Sequence, residues 1–366
     1  MTVTLWYNNI IIGWGARDME KVCIAIENCE LGEIIAQKAV SKYGATIVVE
    51  NTTMNSYIKN KLIAFEVEYI WIYGADKEEF IKFKDTKYNQ LKKRYKSNVI
   101  EIKEILNDLA KGNNVSIEKI NGVANSLYEP INNEYDVVQC LNELNSIDHD
   151  TFTHSVNVSL YAMLLGKWLL LPKDNIVDLI QAGLLHDVGK TKIPNLIINK
   201  KGGLDLEELK EIQKHPTYSY EIIKDIEGLS TETKEAVIKH HEREDMSGYP
   251  KGLSGKEMGV CSKVISVVNY YDSITSERPY RKRVNPFEAF QIIQGQVINK
   301  FDIHIVTTFL SNIATCYIGT KVLLNNGQTG EIVYVPPKAI SKPVVFVDSK
   351  YLDLAVESSV KIVSML

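Results

Sequence analysis

The spacing of apolar positions changes character twice along the 366-residue chain. At 22–26, 34–36, 45–49 and 69–73 they come in short runs, parted by the turn-forming pairs Leu31-Gly32 and Tyr43-Gly44. Runs of that length between turn residues predict strands, with one helix near 54–65. From Asp76 to about Leu127 the composition shifts to Lys, Glu, Asn and Ile at helical spacing. Ile100, Ile102, Ile105, Leu106 and Leu109 form a stripe there, so the stretch reads as a helical connector.

Between about Glu134 and Ala314 the helical pattern repeats. Helices are predicted over 154–171, closed by Pro172, and over 175–187, with Gly189 as a left-handed C-terminal residue. Others are predicted over 205–214, near 218–225, from Ser230 or Thr231 to Arg243, and over 257–276. After Cys316 strand-like runs return at 321–324, 330–335, 343–347 and 360–363, with a turn at Asn325-Asn326-Gly327, as in a small barrel or meander. The expected fold is mainly α. An all-helical domain at 134–314 is flanked by small β-rich units at 1–75 and 315–366, with the helical connector at 76–133.

Composition narrows the function. A formal net charge of −4 provides no global positive field for a DNA or RNA polymer or an anionic membrane surface. Cys23, Cys29, Cys140, Cys261 and Cys316 are odd in number and never spaced C-x-x-C. That argues against a disulfide framework or thiolate metal site and for a reducing, cytoplasmic setting. The N-terminus lacks the pattern of a signal peptide, and Gly166 and Lys167 interrupt the apolar stretch 160–171, which therefore reads as a buried helix. No membrane partner is expected.

Six of the seven histidines fall between positions 149 and 241. His186-Asp187 closes an apolar helix, where an imidazole and a carboxylate side by side can both reach a metal and the carboxylate can bridge two ions. A polar helix terminus is the plainer reading. His240-His241-Glu242 lies late on another amphipathic helix. Adjacent helical residues point about 100° apart, so these two histidines suit two ions, or one ion and a substrate. Alternatively they are solvated groups that complement the helix dipole.

His186-Asp187-Val188-Gly189-Lys190, His240-His241-Glu242-Arg243, Gly248-Tyr249-Pro250 and the run DSITSERPYR from Asp272 to Arg281 together resemble the HD-GYP family. That family is a branch of the HD metal-dependent phosphohydrolases, best known as bacterial cyclic di-GMP phosphodiesterases. The likeness covers roughly 148–305 and implies an HD-type helical catalytic domain. It also implies metal ligation by His154, His186, Asp187, His215, His240 and His241, with Asp187 bridging. Two divalent cations are implied, or three if Asp150 ligates as well; a helix-capping role for Asp150 is an equal reading. Iron or manganese suits a His and carboxylate set better than a structural zinc site.

The implied activity is hydrolysis of cyclic di-GMP to linear pGpG, GMP or both by a metal-activated hydroxide. Lys190 would contact the scissile phosphate, and Arg278 and Arg281 would contact phosphates or guanine edges. A solvated basic turn continued by Lys282 and Arg283 is the alternative for the two arginines. Tyr249, between a glycine that permits positive φ and a stiffening proline, is a candidate for base stacking. His149 and His304 match no ligand position.

Two positions depart from the family pattern. The metal-binding Asp nine residues before Arg278 is Asn269 here, a neutral and weaker ligand for a hard cation; Asp272, one turn later, offers partial compensation. Met246 stands where the family usually has Gly. The alternatives are therefore an HD phosphohydrolase for another cyclic dinucleotide or nucleotide, or a catalytically weak cyclic di-GMP receptor. The flanking β units read as regulatory or dimerisation modules, so a homodimer through them or through the connector is expected.

Overall fold

The computed structural model describes residues 21–40, 46–74, 77–128, 134–144, 151–200, 202–277 and 283–366, with backbone alone at 77–87 and 296. Asp150, Arg278 and Arg281 lie outside the described residues. The N-terminal unit comprises β1 (Lys21–Ala25), β2 (Ala39–Val40), β3 (Thr46–Val48), α1 (Ser56–Ala64) and β4 (Tyr69–Tyr73). β1 pairs antiparallel with β4, and β2 with β3. Strand alternation decides what faces inward: Ile70 and Ile72 are buried while Tyr69 and Trp71 are exposed. With Ile35, Val48, Met54, Ile58 and Leu62 they make a small core of their own. The run at 34–36 is not a strand but makes isolated bridges, Ile34 to Thr53 and Ile35 to Ile72.

A long helix, α2 (Lys77–Ala110), follows β4 and precedes α3 (Ile117–Tyr128) and α4 (Glu134–Leu144). Of the predicted stripe, Ile102, Ile105, Leu106 and Leu109 are buried and Ile100 is exposed. At 3.6 residues per turn Ile100 falls on the opposite side of α2 from the other four. Next come α5 (Thr151–Trp168), α6 (Lys173–Leu185), the short α7 (Asn195–Ile198), α8 (Leu206–Ile212), α9 (His215–Ile223), α10 (Thr231–Lys239), α11 (Val260–Thr275), α12 (Pro286–Ile292) and α13 (Ile303–Thr315). Side chains of α2 to α6 and α9 to α13 share one continuous core.

α5 is the central helix. Residues 153–166 are buried on every side, the polar Thr153, His154, Ser155, Asn157 and Ser159 included. A Cβ at Gly183 of α6 would sit 2.7 Å from the Ser159 Cα, so this glycine lets α5 and α6 meet backbone to backbone. The predicted helix to Arg243 stops at Lys239, and the helix expected from Glu257 starts at Val260. In the latter case Ser254 and Glu257 form a capping box around a separate short turn.

The C-terminal sheet runs β5 (Lys321–Leu324), β6 (Thr329–Tyr334), β7 (Val344–Val347), β8 (Lys350–Asp353) and β9 (Ile362–Met365), with spatial order β8-β7-β6-β5-β9. Gly327, at φ 83°, makes the predicted hairpin turn. β8, Lys-Tyr-Leu-Asp, carries no apolar run and was not legible as a strand. The sheet is an open meander whose last strand returns beside β5, not a closed barrel. Val322, Leu324, Ile332 and Val345 belong to the helical core, while Tyr57 of α1 packs against Tyr334 and Tyr351. The two β units therefore touch. The five cysteines are unpaired, and no helix among the described residues is long and apolar enough to cross a membrane.

Candidate metal centre

A helix ends with carbonyls that have no intrahelical partner, and three histidines occupy such ends. His186 follows α6, His215 lies three residues after the last residue of α8, and His240 follows α10. Each places Nδ1 on the carbonyl three residues back: Gly183 at 2.8 Å, Ile212 at 2.7 Å and Val237 at 2.6 Å. A carbonyl only accepts, so Nδ1 carries the proton and Nε2 presents a lone pair. His154, in the first turn of α5, is set the same way by Asp272 of α11, whose Oδ2 lies 2.6 Å from Nδ1.

Three of these four Nε2 atoms lie within 3.5 Å of the Asp187 carboxylate, and the fourth, on His240, meets that of His215. His186 Nε2 is 3.3 Å from His154 Nε2 and 3.3 Å from Asp187 Oδ2; His154 Nε2 is 3.5 Å from the same oxygen. On the other side, His215 Nε2 is 3.2 Å from His240 Nε2 and 3.3 Å from Asp187 Oδ1. Two groups result, His154 with His186 and Asp187, and His215 with His240 and His241, each with its ligand atoms within 4.8 Å of one another. Asp187 is buried; Lys190 Nζ lies 2.5 Å from Oδ2, while Oδ1 accepts no hydrogen bond from any described residue. Facing lone pairs and an orphaned buried carboxylate oxygen are unfavourable unless a cation lies among them. Imidazole nitrogens with a carboxylate suit a first-row divalent metal.

Protonation agrees with that use. Burial pushes His215 below its usual 6.5. Burial, together with the neighbouring His186 and His215, pushes His240 well below it, and burial beside His240 does the same to His241. Burial alone would raise Asp187, yet His186 and Lys190 hold its carboxyl well below the usual range. At neutral pH His215, His240 and His241 are neutral and Asp187 is ionised, the forms that bind metals.

Close backbone approach explains two glycines of the motifs. Gly189 was expected to be left-handed; it is not among the residues with positive φ. Instead a Cβ there would lie 2.3 Å from the His215 carbonyl oxygen and the Ser219 amide nitrogen. Ser219 Oγ accepts from the Gly189 amide at 2.8 Å and donates to the His186 carbonyl at 2.7 Å. The first turn of α9 is thus seated on the His186-Asp187 segment. Gly248 likewise lacks positive φ, and a Cβ on it would lie 2.4 Å from the Glu242 Cα. Buried Glu242 holds the loop beyond, accepting from the Lys251 amide at 2.7 Å and the Leu253 amide at 2.9 Å. Met246, at φ 62°, takes the left-handed conformation that a glycine would adopt without strain.

The structure therefore brings together His154, His186, Asp187, His215, His240, His241 and Lys190. Tyr249 lies beside them, its ring stacked on His241 with centroids 4.5 Å apart, so one face of the ring expected to meet a base is already covered. Asn269 is buried on α11, its Oδ1 3.4 Å from Ser273 Oγ. Asp272 belongs to neither ligand group and does not stand in for Asn269. It accepts from His154 on the far side of the ring and from Asn157 Nδ2 at 3.2 Å. Sequence reasoning missed Asn157, Ser219 and the anchoring role of Glu242. A signal existed for the first, since an amide three residues after His154, in a helix read as buried, needs a buried partner.

Residues 137–305 match the HD domain family. Among similar curated proteins, the cyclic di-GMP phosphodiesterase PA4108 of Pseudomonas aeruginosa is 31% identical over 202 residues, 55% of this chain and 49% of that protein. The 3'3'-cGAMP-specific phosphodiesterase 3 of Vibrio cholerae is 32% identical over 152 residues, 42% of this chain and 33% of that protein. The chain thus spans about half, or less, of the length of these relatives. The solved structure of Bd1817, a HDG"Y"P protein from Bdellovibrio bacteriovorus, aligns over 79% of this chain and 98% of that one with 16% identity and a TM-score of 0.46, a likeness too loose to carry weight.

Proposed function

We propose, from the match of residues 137–305 to the HD domain family, that the chain is a metal-dependent phosphodiesterase that hydrolyses cyclic di-GMP to linear pGpG, GMP or both. The observation that carries this reading is the pair of ligand groups meeting at Asp187, with imidazole lone pairs facing one another and one carboxylate oxygen orphaned. His154, His186 and one oxygen of Asp187 would hold one ion. His215, His240, His241 and the other oxygen would hold a second, with iron or manganese the expected metals. When bound, such cations would activate water and offset charge on the phosphate.

The chain's own groups do the rest. The Nδ1 bonds fix the imidazoles of His154, His186, His215 and His240 in one tautomer and aim them before any ligand arrives. Lys190 Nζ, now on the Asp187 carboxylate, would exchange part of that contact for a non-bridging phosphate oxygen. Burial of the set excludes bulk water and strengthens each charge interaction. Arg278 and Arg281 are proposed to hold the substrate's phosphates or bases, Tyr249 to lend its free face to a base, Asp150 to ligate a third ion, and Asn269 to contribute a neutral ligand.

Relatives named for cyclic di-GMP and for 3'3'-cGAMP support the cyclic dinucleotide as the class and 3'3'-cGAMP as the second substrate to test. The decisive experiment couples metal analysis of the purified protein to a timed product assay with both. Turnover that depends on Mn²⁺ or Fe²⁺ and disappears in Asp187→Asn is expected. Bound metal without cleavage of either dinucleotide would sink the proposal. Asn269 favours one further reading, a receptor that binds but scarcely turns over, and a large rate gain in Asn269→Asp would support it.

A further inference from the structure

A row of buried polar groups leads away from the metal site into the fold. His154 Nδ1 meets Asp272 Oδ2 at 2.6 Å, Asn157 Nδ2 meets Asp272 Oδ1 at 3.2 Å, and the Tyr95 hydroxyl meets Asn157 Oδ1 at 2.6 Å. The four side chains are at most 4% exposed and come from α2, α5 and α11. Chemistry fixes the direction of every bond. A carboxylate only accepts, so Asn157 must turn its NH₂ to Asp272 and its carbonyl oxygen to Tyr95. The tyrosine hydroxyl must then donate. By the same rule His154 keeps its proton on Nδ1, which leaves the Nε2 lone pair facing Asp187.

We propose that Tyr95 is a positioning residue for the metal site, acting through Asn157 and Asp272 to hold His154 with Nε2 aimed at the ion. The proposal rests on the reading that His154 ligates metal. Without the tyrosine proton, the buried Asn157 oxygen loses its donor, and the amide is free to tilt away in search of another. Its bond to Asp272 then weakens, Asp272 shifts, and the His154 ring is held less firmly with Nε2 towards the ion. Tyr95 lies on α2, the helix that follows β4, so the row also ties His154 to the element that joins the N-terminal unit to the helical core.

The test is Mn²⁺ titration of the full chain, read by electron paramagnetic resonance, for wild type and Tyr95→Phe, which keeps the ring and removes one oxygen. The expected result is affinity for one Mn²⁺ weakened about three- to tenfold, below the roughly 10- to 100-fold typical of losing a direct partner of a ligand. Tyr317→Phe removes another buried hydroxyl, paired with Tyr271 and Asn142; it should lower the melting temperature comparably and leave Mn²⁺ affinity unchanged. In an Asn157→Ala background Tyr95→Phe should have no further effect on affinity. Wild-type affinity in Tyr95→Phe, an equal loss in Tyr317→Phe, or additive losses in the double variant would each overturn the proposal while leaving the metal reading intact. A wild-type chain that binds no Mn²⁺ would overturn both.

Discussion

Gly189→Ala probes how the two halves of the site are joined. The added Cβ would lie 2.3 Å from the His215 carbonyl oxygen and from the Ser219 amide nitrogen, both backbone atoms that no rotamer change can move aside. Reaching even 3.0 Å requires α9 and the His186-Asp187 segment to separate by about 0.7 Å, and an unstrained contact requires more. That movement stretches the 2.8 and 2.7 Å bonds through Ser219 and draws His215 Nε2 away from Asp187 Oδ1. Overpacking of this kind costs about 1–3 kcal/mol, which at ~2–4 °C per kcal/mol is a melting temperature lower by about 5 °C. The effect on function should be larger than on stability, because a misplacement near 1 Å can cost about 100-fold in rate. Calorimetry of the metal-free chain, Mn²⁺ titration and a turnover assay measure the three effects. Gly122→Ala is the control. It lies inside α3 with open space around its Cβ, and a gain of about 0.4–1 kcal/mol is expected there. Wild-type melting, metal affinity and turnover in Gly189→Ala would refute the close-approach explanation and restore the case for a purely conformational glycine.

Stability of the metal-free chain should fall on acidification. His215, His240 and His241 ionise near 6.5 when unfolded but stay neutral in the fold, so below that pH the unfolded state takes up protons that the native state refuses. Full stability therefore holds above about pH 6.5 and declines below it by up to about 1.4 kcal/mol per pH unit for each histidine; melting temperatures of chelator-treated protein that stay level from pH 7.5 to 5.5 would contradict this. Asp187, depressed in the fold, extends the loss only below its ordinary value of 3.8. Met246→Gly should stabilise the chain by up to ~1 kcal/mol, since a left-handed backbone costs a side-chain-bearing residue about 1–2 kcal/mol and glycine returns part of that as chain entropy. Urea midpoints decide it. Glu242→Gln turns one of two acceptors into a donor facing a backbone amide, so a loss of about 1.5–3 kcal/mol and a protease-sensitive loop around Lys251 are expected; an unchanged cleavage pattern would speak against the anchoring role.

Much of the site was legible in one dimension because its chemistry is concentrated in motifs. His186-Asp187 and His240-His241 are adjacent in the chain, and helix capping alone puts His186 and His240 at carbonyl-rich termini. The helical order also follows from local rules: Ser230 caps α10, Asp205 caps α8 in a capping box, and Pro216 opens α9. Errors fell where tertiary contact overrides local preference. Gly189 and Gly248 looked like conformational glycines, yet what demands them is the backbone of His215 and Ser219, 26 and 30 positions later, in the first case, and the segment just after α10 in the second.

By itself the sequence determined which residue types would bear the chemistry and where most of the helices and strands would fall. Periodicity, caps and motif spacing act over a few residues, and that information is written locally. Only the tertiary structure decided that the lone pairs of His154, His186, His215 and His240 face inward around one carboxylate, and that Asp272 serves His154 instead of replacing Asn269. It alone ties Tyr95 to a histidine 59 positions later, through an amide on the histidine's own helix and a carboxylate on α11. Hydrogen bonds and lone-pair directions depend on distances of 2.6 to 3.3 Å between groups far apart in the chain, and no sequence spacing encodes those before the helices pack.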